Sequence, residues 1–189
     1  MVKPNSRRVQ GRVRLIAGEW RGRRIEIPDG TAVRPTPDRV RETLFNWLRD
    51  ALVGARCIDL YAGTGVLGFE ALSRGAAEVW FIERDAALVA GLHATAHKLG
   101  VAPHIHRRDA FAFLREPPSA RFDVAFLDPP YAEAIEPLLE LLPPWLAVGA
   151  LVYVERPRKA GLPVLAGAEW VKRSHAGAVE YGLLRWSAV

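Results

Sequence analysis

Cysteine is almost absent from this chain, which has Cys57 as its one thiol among 189 residues. A single cysteine excludes an internal disulfide framework. Long apolar runs are missing too, so no membrane-spanning segment is predicted. The first residues are basic and lack the apolar core of a signal peptide. Together these absences favour a cytoplasmic protein that does not bind to a membrane.

Internal repeats and low-complexity segments are also missing. Half of the residues are apolar, which is enough to build a full hydrophobic core and disfavours intrinsic disorder. A chain of this length forms one domain, or one domain with an extension.

Positive charge is concentrated at the start of the chain. Residues 1–41 contain eleven of the 26 Lys and Arg residues and four of the 21 Asp and Glu residues, a net charge of +7 against −2 for the rest. Such a block attracts polyanions through counterion release. The alternative is a solvated basic tail. The strand and helix patterns within the block disfavour it.

The basic block contains two short segments that alternate polar and apolar residues. Residues 12–17 and 23–28 have period two and flank a turn with glycine, a pattern typical of a β-hairpin with arginines on one face. Because an isolated hairpin is marginally stable, we expect it to pack on the main domain or on a partner. The predicted division is an extension over residues 1–34 and a main domain over 35–189.

The remainder of the chain alternates helix and strand patterns. Thr36 is expected to cap a helix from about Pro37 to Leu52. Predicted strands are 56–61, 78–83, 103–107, 122–127 and 149–154, and predicted helices are 66–74, 85–98, 109–115 and 132–142. This alternation predicts a mostly parallel, doubly wound α/β sheet, with Ala178–Trp186 and Glu169–Arg173 added as an antiparallel terminal hairpin.

A short corner follows the apolar strand at 122–127, with the sequence Asp128-Pro129-Pro130-Tyr131. Its prolines end the strand, and the carboxyl ends of parallel strands are where ligands bind. Asp128 and the Pro129 carbonyl could accept the hydrogens of a flat amine that stacks on Tyr131. A rigid turn with a solvated aspartate is the alternative.

The strand at 56–61 leads into a glycine-rich turn that matches the dinucleotide-binding fingerprint at Gly63, Gly65 and Gly68, with Glu83 at the end of the next strand. A nicotinamide or flavin enzyme is therefore a competing interpretation. Asp59 disfavours it, because a carboxylate beside a helix N-terminus repels a pyrophosphate. The same carboxylate attracts the ammonium and sulfonium of S-adenosylmethionine, whose ribose hydroxyls Glu83 would hold.

Two further residues bear on this cofactor site. Asp109 could meet the adenine amino group together with the Ala110 backbone, although capping of the following helix explains it equally well. Cys57 lies within a central strand, and we predict that its side chain packs in the hydrophobic core. Carbon methylation through a cysteine nucleophile is therefore excluded, and no metal ligand set is predicted.

Five segments, in chain order, resemble a known family. They are Ile16–Arg23, Arg34–Thr36 with Arg39–Asn46, Asp59–Gly65, Glu70–Ala76 and Asp128–Tyr131. The chain is similar to the RsmD-like guanine-N2 methyltransferases of small-subunit (16S) ribosomal RNA, which have the Rossmann-like class I S-adenosylmethionine-dependent fold. Tyr61 and Thr64 stand where Phe and Ser are more frequent.

This resemblance implies methyl transfer from S-adenosylmethionine to the exocyclic N2 amine of an unpaired or flipped guanine. The implied catalytic residues are Asp128, Pro129, Pro130 and Tyr131. The implied cofactor residues are Asp59, Tyr61, Gly63, Thr64, Gly65, Glu83, Arg84, Asp109, Ala110 and Asp128. The implied RNA-binding residues are Arg12, Arg14, Arg21, Arg23, Arg24, Arg34 and Arg39, with further help from Arg156, Arg158, Lys159 and Arg173.

The implied partner is small-subunit ribosomal RNA or a 30S assembly intermediate, bound by a monomer. We expect deletion of residues 1–24 to weaken RNA binding while the rest stays folded. Three alternatives stay open: an amino-methyltransferase acting on adenine or cytosine, an NAD-binding oxidoreductase, and a non-catalytic RNA-binding relative.

Overall fold

A computed structural model describes residues 11–31, 36–130, 133–165 and 167–187. The strands are β1 Gly11–Arg14, β2 Arg24–Ile27, β3 Arg56–Asp59, β4 Glu78–Glu83, β5 His104–Arg107, β6 Phe122–Leu127, β7 Leu146–Pro157, β8 Ala168–Ala176 and β9 Val179–Trp186. The α-helices are α1 Asp38–Trp47, α2 Arg49–Leu52, α3 Val66–Ser73, α4 Ala86–Leu99, α5 Ala110–Leu114 and α6 Glu136–Leu141. Among the described residues, no helix has the length and apolar character needed to cross a membrane.

Seven strands form one sheet in the order β5-β4-β3-β6-β7-β9-β8. The first five are parallel, and β9 pairs antiparallel with both β7 and β8. The predicted doubly wound sheet and its antiparallel terminal hairpin are both confirmed. The strand order reverses between β3 and β6, and a reversal of this kind opens a crevice at the carboxyl ends of the strands.

Apolar side chains cover both faces of the sheet and form two clusters. Cys57 is fully buried in one of them, so its predicted role in core packing is confirmed. Burial raises the pKa of its thiol far above the ordinary value, which keeps the sulfur protonated and unreactive.

The N-terminal segment forms the predicted hairpin and packs on the main domain. β1 pairs antiparallel with β2, with Arg14 opposite Arg24 on the exposed side. The other side of the hairpin and its turn are buried in the same cluster as α1 and α3 through Val13, Leu15, Trp20 and Ile25.

Buried polar groups hold the hairpin turn to α3. Glu70 is buried, and its carboxylate accepts the N–H groups of Ile16 at 2.7 Å and Ala17 at 3.0 Å. Ser73 accepts the N–H of Trp20 at 2.9 Å and donates to the Ala17 carbonyl at 2.6 Å. These bonds satisfy backbone groups that would otherwise be buried without partners.

Arg41 continues this network into α1. Its guanidinium is fully buried, donates to the carbonyls of Arg14 and Thr36, and pairs with Asp38 at 2.6 Å and Glu70 at 3.8 Å. Removal of residues 1–24 would open the core and take away hydrogen-bond partners of the buried Arg41, Glu70 and Ser73. We therefore no longer expect that deletion to leave the rest folded.

Two details of the first predicted helix are wrong. Thr36 does not cap it, because its hydroxyl donates to Asp128 and the capping position is Pro37 without a side-chain bond. The helix also stops at Trp47, and Leu48 separates α1 from the short α2. The predicted apolar side is nevertheless buried at Val40, Leu44, Phe45 and Leu48, with Trp47 partly covered.

We expect Glu70→Ala to destabilise the chain by about 3–5 kcal/mol, because it leaves Arg41 charged and buried beside unpaired N–H groups. Equilibrium denaturation in urea measures this loss. Glu42→Ala, on the exposed side of α1, is the matched control and should stay within about 0.5 kcal/mol of the unmodified chain. A loss below about 1 kcal/mol for Glu70→Ala would contradict a stabilising role for these bonds.

Candidate active site

Three acidic side chains lie at the carboxyl ends of neighbouring strands. Asp59 ends β3, Asp128 follows β6, and Glu155 lies near the end of β7. The parallel register pairs Asp59 with Phe126 and Phe126 with Tyr153, so the strand ends meet at one edge. The negative charges of Asp59 and Glu155 both act on Asp128 and raise its pKa. The structure therefore brings the two predicted aspartates together.

Glu155 was missed by the sequence reasoning. It is 4% exposed, and the Tyr153 hydroxyl donates to its carboxylate at 2.7 Å. The available signal was an acid at the end of the apolar run Leu151–Val154. An acid buried in a parallel strand needs a partner or a function.

Asp59 is the more deeply buried of the two predicted aspartates. It is 2% exposed, and its Oδ1 atom has no hydrogen-bond partner among the described residues. Burial raises the pKa of Asp59 to about 7, the backbone N–H of Gly68 opposes this rise, and the charge of Glu83 adds to it. A buried carboxylate oxygen without a partner is suited to a ligand that carries positive charge.

The glycine-rich turn wraps around this carboxylate. Gly65 precedes α3 with a φ of +78°, and a Cβ atom there would lie 2.4 Å from Leu92. The Gly63 N–H donates to Glu83 at 2.8 Å, and the other Glu83 oxygen accepts the Asp85 N–H at 2.8 Å. Glu83 therefore holds the turn open while keeping lone pairs free for hydroxyl groups.

The remaining predicted cofactor residues lie around the same turn. Arg84 pairs with Glu133 at 2.8 Å and approaches Asp109 at 4.0 Å. Asp109 caps α5 by accepting the Ala112 N–H at 3.1 Å, which is the capping alternative, and its predicted contact with adenine stays a prediction. The Tyr61 hydroxyl is buried and has no hydrogen-bond partner within the described part of the chain. Thr64 and Ala110 are buried.

The corner after β6 presents Asp128 as a half-buried carboxylate. Thr36 donates to its Oδ2 atom at 3.1 Å, which limits the rotation of the carboxyl group. Burial raises the pKa of Asp128 well above its ordinary value, and the charges of Glu155 and Asp59 add to this rise. Pro129 is buried, Pro130 is exposed, and the Pro130 carbonyl accepts the Glu133 N–H at 2.9 Å. Tyr131 lies outside the described residues.

Exposed arginines cover the outer side of the hairpin and the start of α1. They are Arg12, Arg14, Arg21, Arg23, Arg24 and Arg39, while Arg34 lies outside the described residues. A surface cavity of about 420 Å³ between hairpin and helix is lined by Arg12, Arg14 and Arg24 and reaches Thr36, the hydrogen-bond partner of Asp128. Asp38 also lines the cavity, which thus ends at the residue that hydrogen-bonds to Asp128.

Of the four cations predicted to assist, Arg156 lies near the end of β7, Arg158 and Lys159 follow β7, and Arg173 lies on the edge strand β8. Arg156 is partly covered and pairs with Glu136, and Arg173 stacks over Trp170 at 5.1 Å. Arg158 and Lys159 are exposed.

Comparison with known proteins is consistent with this arrangement. A protein-family profile described as "Conserved hypothetical protein 95" matches residues 13–185. "Ribosomal RNA small subunit methyltransferase D" of Escherichia coli strain K12 is 42% identical over 195 residues, which cover 100% of this chain and 96% of that protein. The chain belongs to the ribosomal RNA small subunit methyltransferase D family.

Solved structures agree with this family assignment. The Escherichia coli protein yhhF is 40% identical, with a TM-score of 0.89 over 95% of this chain and 100% of that one. Thermus thermophilus RsmC, solved with AdoMet and guanosine, has a TM-score of 0.66 at 19% identity over 94% of this chain and 50% of its own, a likeness of fold alone. The Rossmann-like class I methyltransferase fold predicted for this member of the methyltransferase D family is confirmed.

Proposed function

We propose that the protein transfers a methyl group from S-adenosylmethionine to the exocyclic N2 amine of a guanine in small-subunit (16S) ribosomal RNA. The observation that carries this proposal is the meeting of Asp59 and Asp128 at adjacent strand ends. One carboxylate suits a cationic methyl donor and the other suits an amine that receives the methyl group. Membership of the methyltransferase D family supports the same reaction class.

The residues of the site fit S-adenosylmethionine. The partnerless Oδ1 atom of Asp59 suits the ammonium of the methionyl part, and Glu83 has lone pairs for the ribose hydroxyls. When bound, this cofactor supplies an electrophilic methyl group. Asp59 also faces the first turn of α3 through the Gly68 N–H, so a pyrophosphate would meet a carboxylate there. That contact argues against the NAD-binding alternative.

Asp128 and the Pro129 carbonyl would orient the acceptor amine. The lone pair of the guanine amine is delocalised into the ring, which makes the nitrogen a poor nucleophile. Two acceptors that bind its hydrogens pull the nitrogen toward tetrahedral geometry and direct its lone pair at the methyl group. Thr36 keeps the Asp128 carboxyl in place for this contact, and Tyr131 is proposed to stack on the base.

The arginine surface would bind the RNA backbone. Its cavity of about 420 Å³ leads toward Thr36 and Asp128, so phosphates held there would place a nucleotide beside the acidic corner. Pairing buries the amine within a duplex, so the target base is proposed to be unpaired or flipped.

Guanine is proposed over adenine or cytosine because the five sequence segments described above resemble the guanine-N2 methyltransferases of small-subunit ribosomal RNA. We further propose a cytoplasmic monomer that acts on the ribosomal RNA itself or on a 30S assembly intermediate.

Mass-spectrometric mapping of 16S ribosomal RNA tests the proposed function directly. RNA from a deletion strain should lack one N2-methylguanosine, and the cloned gene should restore it. Purified protein should methylate RNA and 30S particles from the deletion strain, and comparison of the two rates identifies the substrate. A missing methyladenosine or methylcytidine would contradict guanine, and unchanged RNA would contradict methyl transfer.

Removing charge from the hairpin should weaken RNA binding in a salt-dependent way. Arg12, Arg21 and Arg24 have no ion-pair partner among the described residues, so we expect their joint change to Gln to remove three phosphate contacts. The slope of log K against log salt should become shallower by about 2–3. Fluorescence anisotropy with labelled ribosomal RNA between about 50 mM and about 200 mM salt measures it.

A triple change of Arg49, Arg115 and Arg185 to Gln is the matched control, because it removes the same charge from exposed residues near the amino ends of the strands. Equal slopes for the two triple variants would show that binding follows net charge and not the hairpin surface.

A further inference from the structure

Glu155 and Tyr153 form a buried pair beside Asp128 to which the reaction described so far assigns no role. The Tyr153 hydroxyl donates to Glu155 at 2.7 Å, and both residues are almost completely buried. The register of β6 with β7 pairs Phe126 with Tyr153 and Leu127 with Val154, so the next step along the strands sets Asp128 beside Glu155. A buried acid next to an active-site acid is a candidate for controlling its protonation.

The two acids are not equivalent. Glu155 receives a hydrogen bond that favours its ionised form, and this bond opposes the rise that burial causes in its pKa. Asp128 lies beside that charge, which raises the pKa of Asp128 in addition to the effect of burial. When two nearby carboxyl groups cannot both ionise easily, the one whose anion is more strongly hydrogen-bonded ionises first and the other keeps the proton longer. The hydroxyl of Tyr153 lies 2.7 Å from Glu155, whereas that of Thr36 lies 3.1 Å from Asp128, so Glu155 ionises first.

We propose that Glu155, held by Tyr153, is a positioning residue that makes Asp128 the acceptor for the proton released when the target amine is methylated. This rests on the proposed function. In the reaction the amine nitrogen gains a bond to the methyl carbon, whose bond to sulfur breaks with its electron pair left on sulfur. The nitrogen then carries a positive charge, and its surplus proton passes to the Asp128 carboxylate and on to solvent after product release.

The neighbours of Asp128 support this division of roles. Asp59 adds a second negative charge from β3, and Thr36 donates a neutral hydroxyl from the segment before α1. From β9, Tyr181 lies opposite Glu155 and near the Tyr153 ring, at 6.3 Å between ring centroids. Arg41 donates to the Thr36 carbonyl, and among the described residues it makes no ion pair with Asp128 or Glu155. Among the charged groups around Asp128, Glu155 therefore has the largest effect on its basicity, second only to burial.

The pH dependence of Asp128 ionisation tests the proposal without RNA or methyl donor. Carbon-13 NMR of the aspartate carboxyl groups in the full chain, with Asp128 assigned from Asp128→Asn, follows its titration. We expect Glu155→Gln to lower the Asp128 midpoint by about one pH unit or more, because a neutral amide replaces the charge. Tyr153→Phe should shift it in the same direction by less, because Glu155 then ionises less readily.

Tyr181→Phe is the matched control, since it removes a neighbouring hydroxyl that makes no hydrogen bond to Glu155 among the described residues, and the Asp128 midpoint should stay unchanged. In methyl-transfer assays of Glu155→Gln and Tyr153→Phe, the acidic limb of the pH–rate profile should move to lower pH together with the NMR midpoint. The affinity for S-adenosylhomocysteine should be retained.

Unmoved midpoints in both Glu155→Gln and Tyr153→Phe would overturn the proposal even if guanine methylation is established. If Glu155→Gln fails to fold, Tyr153→Phe alone decides the outcome. Absence of methylation with shifted midpoints would instead count against the proposed function.

Discussion

Asp128→Ala is expected to lower the rate of methyl transfer by roughly 10³-fold or more while S-adenosylhomocysteine still binds. The acid contributes both the acceptor for an amine hydrogen and the site that takes up the proton. Neither contribution is replaced by a methyl side chain. The cofactor residues lie mainly on the turn after β3 and at the ends of β4 and β5, so their geometry should survive.

Calorimetry with S-adenosylhomocysteine and a radiometric assay on 30S particles separate the two effects. Asp123→Ala is the matched control, because Asp123 lies on β6 but is exposed, and its one hydrogen bond among the described residues is from the Arg56 N–H at 2.9 Å. It should retain most of the activity. If binding and activity fall together in Asp128→Ala, then Asp128 has a structural role and the proposed chemistry is wrong.

Asp59→Asn should weaken cofactor binding strongly and at the same time stabilise the cofactor-free chain. The amide keeps the shape of the side chain and can still accept from the Gly68 N–H. It cannot neutralise the ammonium of the cofactor, and removing one partner of such a charge pair costs about 2–5 kcal/mol. The expected loss is therefore at least about 30-fold in Kd.

The gain in stability depends on pH, and its sign follows from the raised pKa. Burial raises the pKa of Asp59 from 3.8 to about 7, so the folded chain holds this proton more tightly than the unfolded chain. The unmodified chain therefore loses stability as the pH rises from about 4 to about 7. Asn has no proton to lose, so the advantage of Asp59→Asn should be absent below about pH 4 and complete above about pH 7, with an upper limit of about 4 kcal/mol.

Urea denaturation at about pH 5 and about pH 8 measures this difference. Glu42→Gln, a neutral amide on the exposed side of α1, is the control and should show no comparable dependence on pH. A variant that binds S-adenosylhomocysteine normally would contradict the role of Asp59 in the cofactor site. If Asp59→Asn has no higher free energy of unfolding than the unmodified chain at about pH 8, then ionisation of Asp59 does not destabilise the folded chain.

Much of this architecture follows from local patterns in the sequence. Alternating strand and helix patterns predict the parallel sheet, because each element must bury one side and the crossovers are right-handed. The glycine turn after Asp59 and the prolines after Asp128 mark two strand ends, since these residue types restrict the backbone directly. The hairpin of residues 12–28 is visible in its period of two for the same reason.

Tertiary structure alone decided which side chains these patterns bring together. Thr36 was expected to cap its own helix, yet its hydroxyl donates to Asp128, 92 residues away in sequence. Glu155 and Tyr153 matter because β7 lies beside β6, and Arg41 and Glu70 matter because the hairpin packs on α3. Local sequence determines the form of each element, because backbone preference and side-chain periodicity are short-range. The partners of a buried polar group depend on which elements become neighbours, and that is settled only when the whole core packs.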